Sequence, residues 1–261
     1  MTEDVVARLA EHGVDVPGGA RPAALGGGVT AWCFPSQGEQ ALGWWERVRA
    51  LHPVTGIWPV LLPAPSFGGI RQADRGTGPA ERLAAGLALD AEALLNPKGG
   101  FGELDDRAVE AMLAEWPGGE AGGEFDEEDE DYGPERIDRT VLTHVRGAPA
   151  PAQVALIEAG EGWQVPTLLD FGGWNQCPEP PAHAPVLRRW YERYGAEVVW
   201  VSHDALLLAM TRPPVTRRQA LAFAWEYPSY CLDGMDAYGA DDIPDLASCL
   251  IDAEVVRFWW D

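Results

Sequence analysis

The chain has 261 residues, of which 46% are hydrophobic, so it holds enough apolar material for one large domain or two small ones. Its formal net charge is −22 at pH 7. A surface this negative repels the phosphates of nucleic acids and of anionic membranes, because binding to either depends on Lys and Arg side chains. The charge therefore argues against both as partners. Solubility alone is one explanation of the charge, and the other is a basic protein partner, which the charge would steer toward the chain.

Lysine and cysteine chemistry have little support in this composition. Lys98 is the single lysine among 19 basic residues, and its loop lacks the Gly-x4-Gly-Lys pattern of a phosphate-binding loop. This usage, with 30 Gly and 22 Pro, is typical of a high-GC genome such as that of an actinobacterium. The four cysteines lie far apart without a Cys-x-x-Cys pair, which indicates no disulfide scaffold. The sequence thus predicts no cofactor and no metal site.

The start of the chain and its hydropathy indicate no targeting or membrane segment. The residues after Met1 are acidic where the first part of a signal peptide would be basic. No apolar stretch approaches the length of about 18 residues that a membrane span needs. We therefore expect a cytoplasmic protein.

The first 116 residues have the pattern of a mixed α/β region. Helices are predicted over residues 2–11, 39–51, 79–95 and 103–116, and strands over residues 29–34 and 57–62. In the helix at 39–51, apolar residues recur at every third position, which is typical of one buried helical face. We expect Pro53 to end that helix, because the residue before a proline disfavours the helical conformation.

Residues 117–135 form a Gly- and Pro-flanked linker with an extreme acidic content. Residues 124–131 carry seven acids in eight positions. Like charges at this density repel one another and cannot pack, so the segment is predicted to be a flexible tether. The spacing of its acids does not fit a calcium loop, and docking of a basic partner is the alternative role. The linker divides the chain into an N-terminal region, 1–116, and a C-terminal domain, 136–261.

The C-terminal domain is predicted to combine helices and strands in an α+β fold. Strands are expected over residues 140–146, 153–159 and 163–169, followed by an amphipathic helix over 184–194 and a hairpin of strands 197–201 and 206–211. A capping box at Thr216 opens a helix through Trp225, Pro244 marks the start of another, and 255–260 is the last strand. This order, α-β-β-α-α-β, predicts a mixed or antiparallel sheet with flanking helices and with the last strand inside the sheet.

Several short motifs in this domain carry a family resemblance. They are Pro178-Glu179-Pro180-Pro181, the segment from His183 to Trp190, Tyr230-Cys231-Leu232-Asp233, and the end at Phe258-Trp259-Trp260-Asp261. Over about residues 162–261 the chain resembles a bacterial family named domain of unknown function 4253. The resemblance implies a domain and its fold but no activity, because the family has no established one. In that family the cysteine turn is Cys-Pro-Asp, whereas Leu232 replaces the proline here.

Four polar residues of the block are candidate catalytic groups. Glu226 lies between Trp225 and Tyr227, and apolar surroundings suit a carboxyl group that acts as a general acid. A structural alternative is that it pairs with an arginine. A hydrolase-like site would combine Glu226, His183 and Asp233 around a pocket lined by Trp174 and Trp260. Cys231 is the fourth candidate, but a nucleophilic thiol needs a base and a positive environment, so a buried structural thiol is favoured.

Aromatic residues are the other class of candidates, as binding residues. In a strand at 255–260, Trp259 and Trp260 point to opposite faces, so at least one of them belongs to the core. Trp and Tyr dominate binding hot spots, and the candidate binding residues are Trp174, Tyr230, Trp259 and Trp260. With the negative charge, they favour a non-enzymatic protein-binding module, of the immunity or neutralising type. A hydrolase-like enzyme and a small-ligand sensor with an aromatic pocket are the alternatives.

Overall fold

The structure is a computed structural model that describes residues 3–64, 70, 73, 76–96, 104–114, 116 and 152–261. Within these residues, helices flank one seven-stranded mixed sheet, which confirms the predicted α+β class. The predicted linker, with its acidic residues 124–131, lies outside the described residues, as do the predicted strand at 140–146 and Lys98.

The helices, numbered in chain order, are α1 (Glu3–Glu11), α2 (Gly38–Thr55), α3 (Pro79–Leu87), α4 (Ala91–Leu95), α5 (Asp106–Ala114), α6 (Val165–Leu168), α7 (Pro180–Tyr194), α8 (Arg217–Tyr230) and α9 (Ile243–Leu250). Short 3-10 turns cover Gly162–Gln164 and Asp233–Tyr238. The predicted capping box is present at the start of α8, where the Thr216 side chain accepts from the backbone N–H of Gln219. The predicted helix stop at Gly195 is also confirmed, because this glycine ends α7 in the left-handed conformation.

The strands are β1 (Arg21–Gly26), β2 (Val29–Pro35), β3 (Ile57–Leu62), β4 (Gln153–Glu158), β5 (Ala196–Val201), β6 (Ala205–Met210) and β7 (Val255–Trp259). Their order in the sheet is β1-β2-β4-β3-β5-β6-β7. Strands β3 and β5 run parallel, and the other neighbours are antiparallel. Strand β4 lies between β2 and β3, so the two regions that the acidic linker separates in sequence contribute strands to one sheet.

The core lies around the central strands of this sheet. Every residue of β3 and β5 is buried, which matches their continuous apolar sequences and indicates that both faces of the sheet are covered there. Helix α2 packs on this part through residues that share one helical face, among them Ala41, Trp45 and Val48. The same apolar cluster continues to β6 and β7 and to the inner faces of α7, α8 and α9.

The predicted strand at residues 163–169 is wrong, because the chain there forms the 3-10 turn and helix α6. A short apolar run fits a strand or a buried helical turn equally well by periodicity alone. Pro166 decides between them, since its fixed φ suits the first turn of a helix and its missing N–H disfavours a strand. The N–H of Leu169 donates to the Val165 carbonyl at 3.0 Å, as in a helix.

Several predicted boundaries also differ. Helix α2 does not end before Pro53 but continues to Thr55, and Gly56 closes it in the left-handed conformation with its N–H bonded to His52. The predicted helix at 79–95 is two helices, α3 and α4, because Asp90 caps the second one. Strand β1 was not predicted, since Arg21-Pro22-Ala23-Ala24 lacks the β-branched and aromatic residues typical of strands.

The last strand lies at an edge of the sheet, not inside it, because β7 pairs with β6 alone among the described strands. Side chains cover its other side. The Arg257 N–H donates to the Tyr238 hydroxyl at 2.8 Å, and the Arg257 carbonyl accepts from the Tyr227 hydroxyl at 2.5 Å. The Cys231 thiol donates to the Trp259 carbonyl at 3.0 Å. These three residues satisfy backbone groups that an additional strand would otherwise bind.

Candidate functional site

Four of the eight candidate residues gather with Phe171 in one buried group, here called the aromatic cluster. Its members are Phe171, Trp174, His183, Tyr230 and Trp260. The ring centroids of Phe171 lie 5.0 Å from Trp174 and 5.7 Å from Trp260, and Tyr230 lies 5.7 Å from Trp260. His183 and Trp260 are fully buried, and Tyr230 is 2% exposed. The cluster is therefore part of the core, where the edge-to-face contacts of its rings stabilise the fold.

His183 is held inside this cluster in its neutral form. Its Nδ1 lies 2.6 Å from the Tyr230 hydroxyl, and burial lowers the pKa of the imidazole from 6.5 to about 3. Gly172 adopts a φ of +109°, and a Cβ added there would lie 2.6 Å from Nε2 of His183. A glycine at this position thus allows the backbone to approach the imidazole closely.

The other candidates near the end of the chain have their own partners. Burial raises the pKa of the Cys231 thiol to about 12, which disfavours the thiolate that a nucleophile requires. Trp259 is half-buried, and its Nε1 donates to the Asp204 carboxylate at 3.2 Å. The Asp233 carboxylate accepts from the backbone N–H of Asp261 at 3.3 Å.

Glu226 forms a buried ion pair between α7 and α8. Its Oε1 accepts from Arg189 Nη2 at 2.9 Å and from Arg193 Nη1 at 2.6 Å, and its Oε2 accepts from Trp190 Nε1 at 2.7 Å. Among the described residues, no hydrogen bond or ion pair joins any two of Glu226, His183 and Asp233. The geometry therefore does not assemble these three into one site, and a catalytic role for them stays a prediction.

A concave site exists elsewhere, where α2 faces the first residues of β5 and the segments around β6 and β7. A cavity of about 590 Å³, here called the acidic cleft, is lined by Trp45, Glu46, Arg49, Glu197, Asp252 and Glu254, together with residues from the end of β6. A second cavity of about 630 Å³ is lined by His52, Trp58, Glu161, Tyr191 and neighbouring backbone, and it shares Arg49 and Glu197 with the first. These two shared residues mark the boundary between the cavities.

The shared residues form a two-point ion pair. Glu197 is 4% exposed, and its carboxylate accepts from Arg49 Nε at 2.7 Å and from Arg49 Nη2 at 2.5 Å. The hydrogen bond that Arg49 donates to Glu197 raises the pKa of the Arg49 guanidinium, so the arginine is firmly charged. A buried carboxylate thus forms the floor of the cleft, and one guanidinium group from α2 neutralises it.

An irregularity in β5 fixes the position of that carboxylate. The pairing of β5 with β6 shifts register between Val198 and Trp200, as in a β-bulge. The Val198 carbonyl accepts from two indoles, Trp45 Nε1 at 3.1 Å and Trp58 Nε1 at 2.9 Å. The strand next to Glu197 is therefore held both by α2 and by β3.

Three further carboxylates lie at the rim of the acidic cleft. Glu46, Asp252 and Glu254 are exposed, and Arg49 is the one basic residue among the described residues that line this cavity. Asp252 adopts a φ of +55°, which Asp tolerates better than most residues, and its N–H donates to Pro214 at 2.8 Å. The cleft is therefore complementary to a cation.

The sequence interpretation missed this cleft because its carboxylates come from α2, from β5 and from the turn before β7. One signal for it was present. Glu197 is the single charged residue of β5, Ala196–Val201, whose other five residues are apolar. A charge within a continuous apolar strand must find a partner, so it marks a position of structural or functional interest.

Two features are absent from the described part of the chain. It contains no group of three or more His, Cys, Asp or Glu residues that could hold a metal ion. No helix in it is both long enough and apolar enough to cross a membrane.

The fold and the cleft define a mixed α+β protein with a cation-complementary cavity beside its sheet. Residues 153–261 match the model of the family described as domain of unknown function DUF4253. This match confirms the resemblance predicted for residues 162–261 and extends it to β4. No curated protein and no solved structure matches the chain.

Proposed function

We propose that the protein is a non-enzymatic binding module whose partner is a basic polypeptide, and that the partner docks at the acidic cleft. An immunity or neutralising protein, which covers a basic partner, is the concrete form of this proposal. The observation that carries it is the charge of the cleft, with Glu197 at the floor and Glu46, Asp252 and Glu254 at the rim. The net charge of −22 would increase the rate of encounter with such a partner.

The cleft also has the layout of a binding surface. Its exposed carboxylates surround a floor that holds Arg49 and is flanked by Trp45, and Arg and Trp are enriched at interface hot spots. We place the module in a bacterial cytoplasm. All four cysteines, Cys33, Cys177, Cys231 and Cys249, are buried and none is part of a disulfide, which suits a reducing compartment.

A capture experiment from native lysate tests the proposal with two matched triple variants. The cleft variant removes three rim charges through the substitutions Glu46→Gln, Asp252→Asn and Glu254→Gln. The control variant removes three exposed carboxylates outside the cleft through Glu11→Gln, Glu81→Gln and Asp236→Asn. Because both carry the same net charge, they separate a local effect of the cleft from a general effect of charge.

We expect the wild-type protein and the control variant to capture the same basic protein at low salt and to release it as salt rises. The cleft variant should fail to capture it at low salt. Equal capture by the cleft variant and the wild-type protein would contradict the proposal. It would also be contradicted if the wild-type protein captured no basic protein at either low or high salt.

The second cavity favours one alternative, a sensor for a small ligand. Its volume of about 630 Å³ lies in the range of small-molecule sites, and the aromatic residues Trp58 and Tyr191 line it together with His52. A thermal-shift screen of metabolites tests this alternative. A ligand that raises the melting temperature of the wild-type protein, but not of a Tyr191→Ala variant, would support it. No such ligand would leave the binding module as the favoured function.

A further inference from the structure

We infer that the floor of the acidic cleft is a seat for the guanidinium group of an arginine from the basic partner, and that Arg49 occupies this seat in the free protein. The inference rests on the proposed function and adds the side chain that the cleft recognises.

The geometry of the ion pair selects guanidinium over ammonium. The two oxygens of Glu197 bind two different nitrogens of Arg49, Nε at 2.7 Å and Nη2 at 2.5 Å. Only the planar fork of an arginine presents two N–H groups in this arrangement, whereas a lysine ammonium is a point charge. The seat is therefore shaped for arginine.

The two partners of this ion pair differ in how they are held. The Glu197 side chain is 5% exposed, and its strand is fixed through the Val198 carbonyl by the indoles of Trp45 and Trp58. The Arg49 side chain is 37% exposed and reaches the seat from α2. The backbone beside Glu197 is thus held by contacts that do not involve Arg49, while the long arginine side chain can rotate toward solvent.

Exchange is favoured over simple opening of the pair. A buried carboxylate left without a cation is strongly unfavourable, so Arg49 leaves only when another cation takes its place. The rim carboxylates Glu46 and Glu254 raise the local concentration of cations around the seat. Departure of Arg49 would also join the two cavities, since it lines both of them, and so make room for the incoming side chain.

Chemical rescue of an Arg49→Ala variant tests this inference. We expect the substitution to lower the melting temperature by roughly 5–10 °C, because Glu197 loses its counter-charge. Ethylguanidinium chloride at tens of millimolar should restore about half of the loss by binding the folded state, while ethylammonium chloride at equal ionic strength should not. Equal stabilisation by the two salts, or none by either, would overturn the inference.

An Arg49→Ala/Glu197→Gln double variant is the control, because it lacks the seat and should not respond to ethylguanidinium. A response equal to that of the single variant would place the binding elsewhere. Should Arg49→Ala fail to fold, Arg49→Lys keeps a charge at the position but only a single-point contact. Ethylguanidinium should then raise the melting temperature of Arg49→Lys more than that of the wild-type protein, and an equal rise would overturn the inference.

The outcome is distinguishable from failure of the proposed function. Rescue by ethylguanidinium without any basic partner in the capture experiment would support the seat and contradict the binding module. Capture of a basic partner that the cleft variant loses, without rescue, would support the module and contradict the arginine seat.

Discussion

The aromatic cluster and the acidic cleft differ in how visible they are in the sequence and in what they contribute. The cluster combines His183, Tyr230 and Trp260 of the conspicuous C-terminal motifs with Phe171 and Trp174, and nearly all of its surface is buried. The cleft consists of ordinary charged residues from distant segments, and most of them are exposed. Rare residue types in a motif thus indicate packing here, whereas the concave, charged surface arises only when the chain folds.

The two regions should also respond differently to substitution. Burial of large side chains dominates the energetics of the aromatic cluster, and burial of paired charges dominates at the Glu226 ion pair between α7 and α8. Exposed carboxylates contribute little to stability, so changes at the rim of the cleft should leave the fold intact. Substitutions in the core should therefore lower stability far more than substitutions at the rim of the cleft.

The largest expected effect is at Trp260. This side chain is fully buried, so Trp260→Ala should lower the free energy of unfolding by about 4 kcal/mol. Trp259 is the matched control, since it is adjacent on the same strand but half-buried, and Trp259→Ala should have less than half this effect. Urea unfolding of both variants measures the difference, and equal losses would contradict the assignment of Trp260 to the core.

Glu226 should have the next largest effect. Glu226→Ala leaves Arg189 and Arg193 without their buried counter-charge, which should cost about 3 kcal/mol in the free energy of unfolding. Glu192→Ala is the control, because its pair with Arg188 is exposed and should contribute less than about 1 kcal/mol. A loss at Glu226 no greater than that at Glu192 would show that the buried pair is not structural.

The smallest expected effect is a change in the pH dependence of stability. The pKa of His183 is about 3 in the folded protein and 6.5 in the unfolded chain. As the pH falls, the unfolded chain therefore takes up a proton at this imidazole well before the folded protein does. The unfolded state therefore binds more protons as the pH falls, and stability decreases. Between about pH 7 and about pH 5 this contribution amounts to about 2 kcal/mol.

In a His183→Gln variant the loss of stability between these two pH values should be smaller by that amount, as measured by urea unfolding at each pH. His203→Gln provides the control, because this imidazole is partly exposed in the turn between β5 and β6. Identical pH profiles for the wild-type protein and the His183 variant would show that His183 is not held neutral by burial.

Elements with local signals could be predicted from the sequence. The capping box at Thr216, the left-handed Gly195 and the apolar strands of the β5–β6 hairpin each depend on residues close in sequence. The helical pattern of α2 was equally local, although Gly56 and not Pro53 sets its end.

Features that depend on long-range contacts could not be predicted. The edge position of β7 follows from which strands pair across the whole sheet, and side chains such as Tyr238 cover its free side only in the folded protein. The acidic cleft combines Glu46, Glu197 and Glu254, which lie as far as 208 residues apart in the chain, since 254 − 46 = 208. No spacing rule connects such residues.

The most direct test of the central claim uses the twelve tryptophans as reporters. The indole N–H signals would be followed by NMR while a short arginine-rich peptide is added. Binding at the acidic cleft predicts shifts of the Trp45 and Trp58 signals, since these two side chains line the cavities, and no shifts for Trp190 and Trp260. Unchanged Trp45 and Trp58 signals, or larger shifts in the aromatic cluster, would contradict binding at the acidic cleft.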